Sequence, residues 1–324
     1  NGEHDVQLDR IDATSLDLKI PVAFHVIYAT NYDEWGNPWR EGYVDENRIN
    51  EQINILNQAY GGYGIDFFLV HCPERVMPGK LLSNLRTLDR VVGCDDPKVA
   101  DIVVKLYKNV VEANIVTTTL VTAELVKTSE NALRDVNIAF ANEVAKICEI
   151  QGANVWEVRE LVNKSPGRNM LLPGSGVGGH CIPKDPWLLL SGLDESFKTG
   201  LISKARQIND DMPNHVLEQI FLSLPELRDS DRKGVVTVLG MSYLENSDDL
   251  RNSPSQVLVN RLKSYSVKVY AHDPIAMARI QGFCFNIVSF KSINCTRNNE
   301  IVFIDYCIQI NRRGCSGNKV PTLR

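Results

Sequence analysis

An α/β protein is expected from three features of this chain. Leu133, Val136, Phe140, Val144 and Ile147 keep one apolar stripe over four turns, which predicts a long helix from about Leu120 to Gly152. Residues 235–240 (Val-Val-Thr-Val-Leu-Gly) read as a buried strand. Residues 255–264 read as a helix and Val267–Tyr270, ending at His272-Asp273-Pro274, as another strand, completing a β-α-β unit. Between the two, residues 173–187 read Pro-Gly-Ser-Gly-Val-Gly-Gly-His-Cys-Ile-Pro-Lys-Asp-Pro-Trp, a glycine run that ends on a cysteine.

The remaining elements follow in chain order. Residues 20–28 read as a strand. Asp45 is a helix N-cap, followed by Ile49, Ile53, Leu56 and Tyr60 at helical spacing until Gly61, Gly62 and Gly64 stop the helix. Residues 65–70 read as a second strand and 72–79 as a loop. Arg90–Gly93 reads as a brief strand, Lys98–Val111 as a helix, 196–222 as a second long helix and 301–305 as a last strand. No internal repeat stands out.

A length of 324 residues suits two or three domains with a substantial core. The net charge of −5 argues against a nucleic-acid backbone as partner. No apolar run approaches the ~20 residues of a membrane span, and no leader peptide is visible, so a cytoplasmic location is expected. The cysteines at 72, 94, 148, 181, 284, 295, 307 and 315 lie too far apart for a Cys-x-x-Cys site. They are expected to be reduced, although the four in the last stretch could pair.

Cys181 is the candidate nucleophile. Glycines let a backbone approach a ligand closely, Lys184 brings positive charge that favours a thiolate, and Asp185 can orient or activate water. The alternative is a glycine turn before a buried structural cysteine. Gly174, Gly176 and Gly179 also satisfy the G-x-G-x-x-G dinucleotide pattern. That pattern needs a strand before it and a helix on its last glycine, whereas Pro173, Pro183 and Pro186 surround it and a helix is expected only near Pro186. Lys127 and Asn131, four apart, share a helix face, which taken alone suits a solvated surface.

Further runs stand in fixed order around Cys181: Cys72-Pro-Glu-Arg-Val, Ala-Glu-Leu-Val-Lys-Thr-Ser-Glu-Asn at 123–131, Arg-Asp-Val-Asn-Ile-Ala at 134–139, Leu-Gly-Met-Ser-Tyr at 239–243 and Asp249-Leu-Arg-Asn-Ser-Pro254. With these, residues 71–275 resemble the UDP-glucose/GDP-mannose dehydrogenase family, most of all its UDP-N-acetyl-D-mannosamine dehydrogenase branch. The resemblance implies oxidation of a sugar C6 alcohol to a carboxylate at the expense of two NAD. Cys181 would capture the aldehyde and carry it as a thioester. Lys127 would stabilise the oxyanion and Asn131 would hold a water or substrate oxygen. Asp185 and Glu74 would handle protons and water, and Lys184 and Arg251 would reach cofactor or substrate phosphates. Gly176, Gly178 and Gly179 would let the loop lie against the sugar, with Arg168 as a further substrate contact. His180 belongs to the amino-sugar branches and carries no assigned role. A homodimer with the central helix at its interface is implied, with UDP-N-acetylglucosamine and UDP-glucose as the runner-up substrates.

The resemblance has gaps. No strand, G-x-G-x-x-G and helix opens the chain, and no acidic ribose ligand follows. Residues 1–70 instead resemble the start of a pappalysin-type metalloprotease domain, through Ile20-Pro-Val-Ala-Phe-His-Val-Ile-Tyr, Ile49-Asn-Glu-Gln-Ile-Asn-Ile-Leu-Asn57 and Phe67-Phe-Leu. None of the histidines at 4, 25, 71, 180, 215 and 272 forms a His-Glu-x-x-His run, so no metal site or protease activity is expected. The family's Tyr-Lys is Tyr243-Leu244 here, and its pattern fades beyond about residue 276. The expected organisation is a leading α/β segment at 1–70 and a remnant of an NAD-binding domain at 71–118. A central helical dimerisation domain with the cysteine loop follows at 119–222, then a Rossmann-like UDP-binding domain at 223–324, incomplete at its tail. Loss of half the cofactor site would impair turnover, leaving a binding module or a non-functional fusion as alternatives.

Overall fold

The structure is a computed structural model that describes residues 29–32, 38–41, 46–63, 67–76, 80–228, 235–276, 286–287 and 301–305. The strand expected at 20–28 lies outside the described residues, as do Asp45, Gly64 and the cysteines at 284, 295, 307 and 315. The chain divides into two compact units, Asn1–Lys127 and Thr128–Arg324.

In the first unit, strands β1 (Ala29–Tyr32) and β2 (Pro38–Glu41) pair antiparallel. Helix α1 (Glu46–Tyr60) runs into a 3-10 turn at Gly61–Tyr63. The strand expected at 65–70 is absent from 67–70. Asn57 on α1 takes the place of a neighbouring strand, donating to the Phe67 carbonyl at 3.1 Å and accepting its N–H at 2.5 Å. Only His71 reaches the sheet, in an isolated antiparallel bridge to Gly93. Short helix α2 (Leu81–Thr87) leads to β3 (Arg90–Gly93), helix α3 (Pro97–Tyr107) and β4 (Ile115–Thr118), with β3 and β4 parallel. Asp96 caps α3 by accepting the N–H groups of Lys98 and Val99, and Pro97 sits where its missing N–H costs nothing. The helix stops four residues short of Val111, because the Asn109 side chain donates to the Lys105 and Leu106 carbonyls and closes the last turn.

Helix α4 (Leu120–Gln151) has the length its periodicity predicts. Its buried face, however, is made of small and polar residues, Ala132, Asp135, Ala139, Asn142 and Cys148, while Leu133, Phe140 and Ile147 of the apolar stripe are 62%, 55% and 53% exposed and Val136 and Val144 half-buried. The reason lies in α8 (Leu201–Ser223), which presents the buried polar side chains Arg206 and Asn209. Helices α5 (Val155–Asn163), α6 (Cys181–Leu189) and α7 (Glu195–Lys198) lie between them in sequence.

Strand β5 (Val235–Leu239), helix α9 (Pro254–Ser264) and strand β6 (Lys268–His272) form the β-α-β unit expected from the sequence. With β7 (Asn286–Ile287) and β8 (Ile301–Asp305) they build a parallel sheet of order β7-β6-β5-β8. Val236, Val238, Leu258, Val259, Leu262, Val269 and Ala271 pack there against Leu217, Ile220 and Phe221 of α8. A fully buried Val or Leu contributes about 1.5–3 kcal/mol by leaving water. The order reverses between β5 and β8, which in open α/β sheets opens a crevice at the carboxyl ends of the strands. Among the described residues no helix is long and apolar enough to cross a membrane.

Candidate functional site

The cysteine loop is pinned at both ends. At its start the Gly174 N–H donates to Asn142 Oδ1 at 2.8 Å. At its end the Gly179 N–H donates to the Arg251 carbonyl at 2.8 Å, and Asn252 Nδ2 donates to the Gly179 carbonyl at 2.9 Å. Gly176 and Gly179 hold φ of +136° and +87°, values that favour glycine. A Cβ on Gly176 would stand 3.0 Å from Pro254, one on Gly178 2.9 Å from the Asn252 carbonyl, and one on Gly179 2.8 Å from the Tyr243 ring. The absence of side chains at these glycines lets the loop lie against the 243–254 segment.

Cys181 emerges exposed as the first residue of α6. The helix therefore begins five residues before Pro186, contrary to expectation. Pro183 falls in the first turn, where no N–H is needed, and Pro186 sits inside the helix. Residues 168–178 carry no strand, so the glycine run lacks the strand that a dinucleotide fingerprint requires.

Asp185, one turn on and 5% exposed, accepts a hydrogen bond from the Asn131 side-chain amide and pairs with Lys184 Nζ at 3.2 Å. Tyr243 and Asp249, quoted in the sequence motifs without a role, group with Arg251. Arg251 grips Asp249 through Nε at 3.0 and 3.1 Å and Nη2 at 2.6 Å. Those hydrogen bonds hold the Asp249 carboxyl below its ordinary value and raise Arg251 in return. Burial, then the Asp249 charge and hydrogen bond, push the Tyr243 phenol up. Tyr243 and Arg251 both lie within electrostatic reach of the Cys181 sulfur.

Asp273, at the end of β6, organises the turn after β5. Its Oδ2 accepts the N–H groups of Met241 and Ser242 and the Ser242 hydroxyl, while Oδ1 accepts Ile275 and Ala276. Burial alone would raise this carboxyl, and the backbone N–H groups bring it below its ordinary value instead. Asp273 and the buried Asn142 escaped the sequence reading, since neither sits beside the cysteine in the chain.

Arg168 is exposed and donates to the Pro166 carbonyl at 2.9 Å. Lys127 is the last residue of the first unit, one helical turn before Asn131 on α4. Glu74 also belongs to the first unit, where it accepts the N–H groups of Arg75 and Val76 and pairs at 3.2 Å with Arg90, itself buried over the Tyr107 ring. Cys72, Cys94, Cys148 and Cys181 are free thiols, and among the described residues no cluster of His, Cys, Asp or Glu could hold a metal ion.

Three domain profiles of one family match this chain. The UDP-glucose/GDP-mannose dehydrogenase NAD-binding domain matches residues 45–111, the central domain 121–211 and the UDP-binding domain 237–304. The first match takes α1 into the dehydrogenase family, ahead of the join expected near residue 70, and the metalloprotease-like resemblance of residues 1–70 finds no support. The last match runs past residue 276, where the pattern had been expected to fade. UDP-N-acetyl-D-mannosamine dehydrogenase of Pyrococcus horikoshii is 43% identical over 227 residues, 70% of this chain and 53% of that protein. NDP-N-acetyl-D-galactosaminuronic acid dehydrogenase of Ralstonia nicotianae is 40% identical over 67% of this chain and 51% of its own length. The chain thus spans about half the length of the curated relatives it matches. The solved structure of the Pyrococcus horikoshii UDP-D-ManNAc dehydrogenase superposes with a TM-score of 0.67 at 36% identity, covering 81% of this chain and 66% of that one. Motif order, the parallel sheet and the three consecutive domain matches agree: the chain belongs to the UDP-glucose/GDP-mannose dehydrogenase family.

Proposed function

We propose that this chain carries the chemistry of an NAD-dependent nucleotide-sugar 6-dehydrogenase, with UDP-N-acetyl-D-mannosamine as substrate. The observation that carries the reading is the exposed Cys181 at the head of α6 with the buried Asp185–Asn131 pair one turn behind it. NAD, when bound, accepts a hydride from the sugar C6 in each of two oxidations. Arg251 and Lys184 are the cations suited to its phosphates or to those of UDP, and the crevice between β5 and β8 suits the nucleotide.

The Cys181 thiolate bonds to the aldehyde carbon and retains it as a thiohemiacetal. Lys127 and Asn131 stabilise the negative charge that forms on the former carbonyl oxygen. After the second oxidation the carbon is held as a thioester. Asp185, kept acceptor-ready by Asn131 and Lys184, takes a proton from water, whose oxygen bonds to the acyl carbon as the C–S bond breaks and the thiolate is regenerated. Glu74 is a second proton-handling candidate, and Arg168 with Gly176, Gly178 and Gly179 completes the substrate surface.

In domain terms, residues 119–222 form the central domain and 223–324 the UDP-binding domain, with 71–118 part of the NAD-binding domain. The exposed stripe of Leu133, Phe140 and Ile147 favours a homodimer built on α4. The cytoplasm, where thiols stay reduced, suits the free Cys181. The test mixes the purified chain with UDP-N-acetyl-D-mannosamine and NAD and follows NADH absorbance. Turnover that vanishes in Cys181→Ala supports the reading. A Cys181→Ala variant as fast as the wild type would overturn it.

A further inference from the structure

Asn142 lies fully buried on α4 and joins the start of the cysteine loop to the interior of the second unit. Its Nδ2 donates to Asn209 Oδ1 on α8 at 2.8 Å. Asn209 Nδ2 donates in turn to the Asp135 carbonyl at 2.9 Å and to its carboxylate Oδ1 at 2.8 Å. The same Oδ1 accepts from Arg206 Nη1, and Arg206 Nη2 reaches Asp210 at 2.9 Å. Asp135, Asn142, Arg206 and Asn209 are each no more than 1% exposed.

The chemistry at the two ends of this chain of bonds settles how both amides must point. A backbone N–H can only donate, so Gly174 requires the oxygen of Asn142. The Asn142 nitrogen then faces Asn209 and requires its oxygen, which turns the Asn209 nitrogen toward Asp135. A carboxylate there can only accept. An apolar pair of similar volume would cost less to bury than Asp135 and Arg206, and Asp135 Oδ2 and Arg206 Nε have no hydrogen-bond partner. The pair is therefore poorly explained as a device for stability alone. Asn209 touches the loop a second time, its carbonyl lying 3.2 Å from where a Gly176 Cβ would stand. The Ser175 hydroxyl between these contacts is buried with no partner, so it adds nothing to the anchoring.

We infer that Asn142 is a positioning residue: through Asn209 it transmits the orientation of the buried Asp135–Arg206 pair to the Gly174 N–H and so sets where the glycine loop delivers Cys181. The inference deepens the reading of Cys181 as the nucleophile, but its test does not depend on turnover. It measures amide exchange over residues 170–180, the alkylation rate of Cys181 by iodoacetamide, and the thermal melt of the full chain.

In Asn142→Ala, exchange of the loop should quicken about tenfold, as expected for loss of one hydrogen bond to a buried partner, and the alkylation rate should depart from wild type by about threefold or more. Gly174→Pro removes the loop's N–H, fixes φ and sets its ring carbon toward Asn142 Oδ1, and should loosen the loop in the same way. Gly174→Ala keeps the N–H and points its new carbon into open space, so it should match the wild type. Asn142→Asp sets two acceptors against each other. It should therefore quicken loop exchange as Asn142→Ala does, although the Gly174 N–H keeps an acceptor. Loop exchange and alkylation at wild-type rates in a cooperatively melting Asn142→Ala variant would overturn the inference. Should that variant fail to fold, wild-type rates in Gly174→Pro overturn it equally. Failure of the nucleophile reading would show elsewhere, as NADH formation that survives Cys181→Ala.

Discussion

The side-chain amide of Asn131 on α4 donates to the buried carboxylate of Asp185 on α6, four residues after the exposed Cys181. In the proposed mechanism this contact holds the carboxylate in place to accept a proton from water. Asp185→Asn should slow hydrolysis of a Cys181-bound acyl group by about 10²–10⁴-fold, the usual range for a lost proton-transfer group. Rapid-quench mass spectrometry of the Cys181 peptide checks this. The acylated peptide should accumulate in Asp185→Asn and, more weakly, in Asn131→Ala. Wild-type turnover without any accumulation would rule out the role.

Gly178 and Tyr243 divide one space between them. A methyl group on Gly178 would collide with the Tyr243 side chain and stand 2.9 Å from the Asn252 carbonyl, which cannot swing away as a flexible side chain could. Gly178→Ala should therefore cost about 1–3 kcal/mol in chemical denaturation and depress NADH formation with it. Gly174→Ala, facing open space, is the reference and should cost less than about 1 kcal/mol.

Asp135 makes the pH dependence of stability unusual. Burial raises its carboxyl from 3.8 to about 6, against the opposing pull of Arg206 and the Asn209 amide. Between those two values the native state holds a proton that the unfolded chain has released. The group therefore favours folding increasingly as pH falls through about 6, and the gain is complete below 3.8. A rise of this size corresponds to about 3 kcal/mol. Asp249 and Asp273, with lowered carboxyls, act in the opposite sense and lose stability as pH falls. Asp135→Asn removes only the first contribution, so in melts from pH 7 to pH 4 the wild type should gain on the variant. A difference that stays constant with pH would contradict the assignment.

Leu133, Phe140 and Ile147 stand seven residues apart on α4, which keeps them on one side of the helix, and all three are more than half exposed. On the proposed homodimer built on α4, Phe140→Asp should lower the mass in light scattering to that of a monomer without changing the secondary structure. An unchanged mass would remove α4 from the interface.

Much of the architecture was readable because its signals are local. The period of α4 and the alternation of buried strand and helix at 235–272 each reflect neighbours within a few residues of one another. The strand expected at 65–70 failed because the backbone of Phe67 is satisfied by an Asn57 side chain, a contact that leaves no trace in β propensity. The start of α6 was misplaced because proline was counted against helix everywhere, although its missing N–H costs nothing in a first turn.

Residue order alone established the α/β character and the family and singled out Cys181 as the proposed nucleophile, since those rest on periodicity and on motifs in a fixed sequence. It could not show that Gly178 is small because Tyr243 occupies its space, that Asp249 holds Arg251, or that Asn142 reaches from a helix interior to the loop's first N–H. Each of these joins residues 2 to 65 positions apart, and close packing and the pairing of buried polar groups are settled only once the chain has folded and brought those atoms within reach.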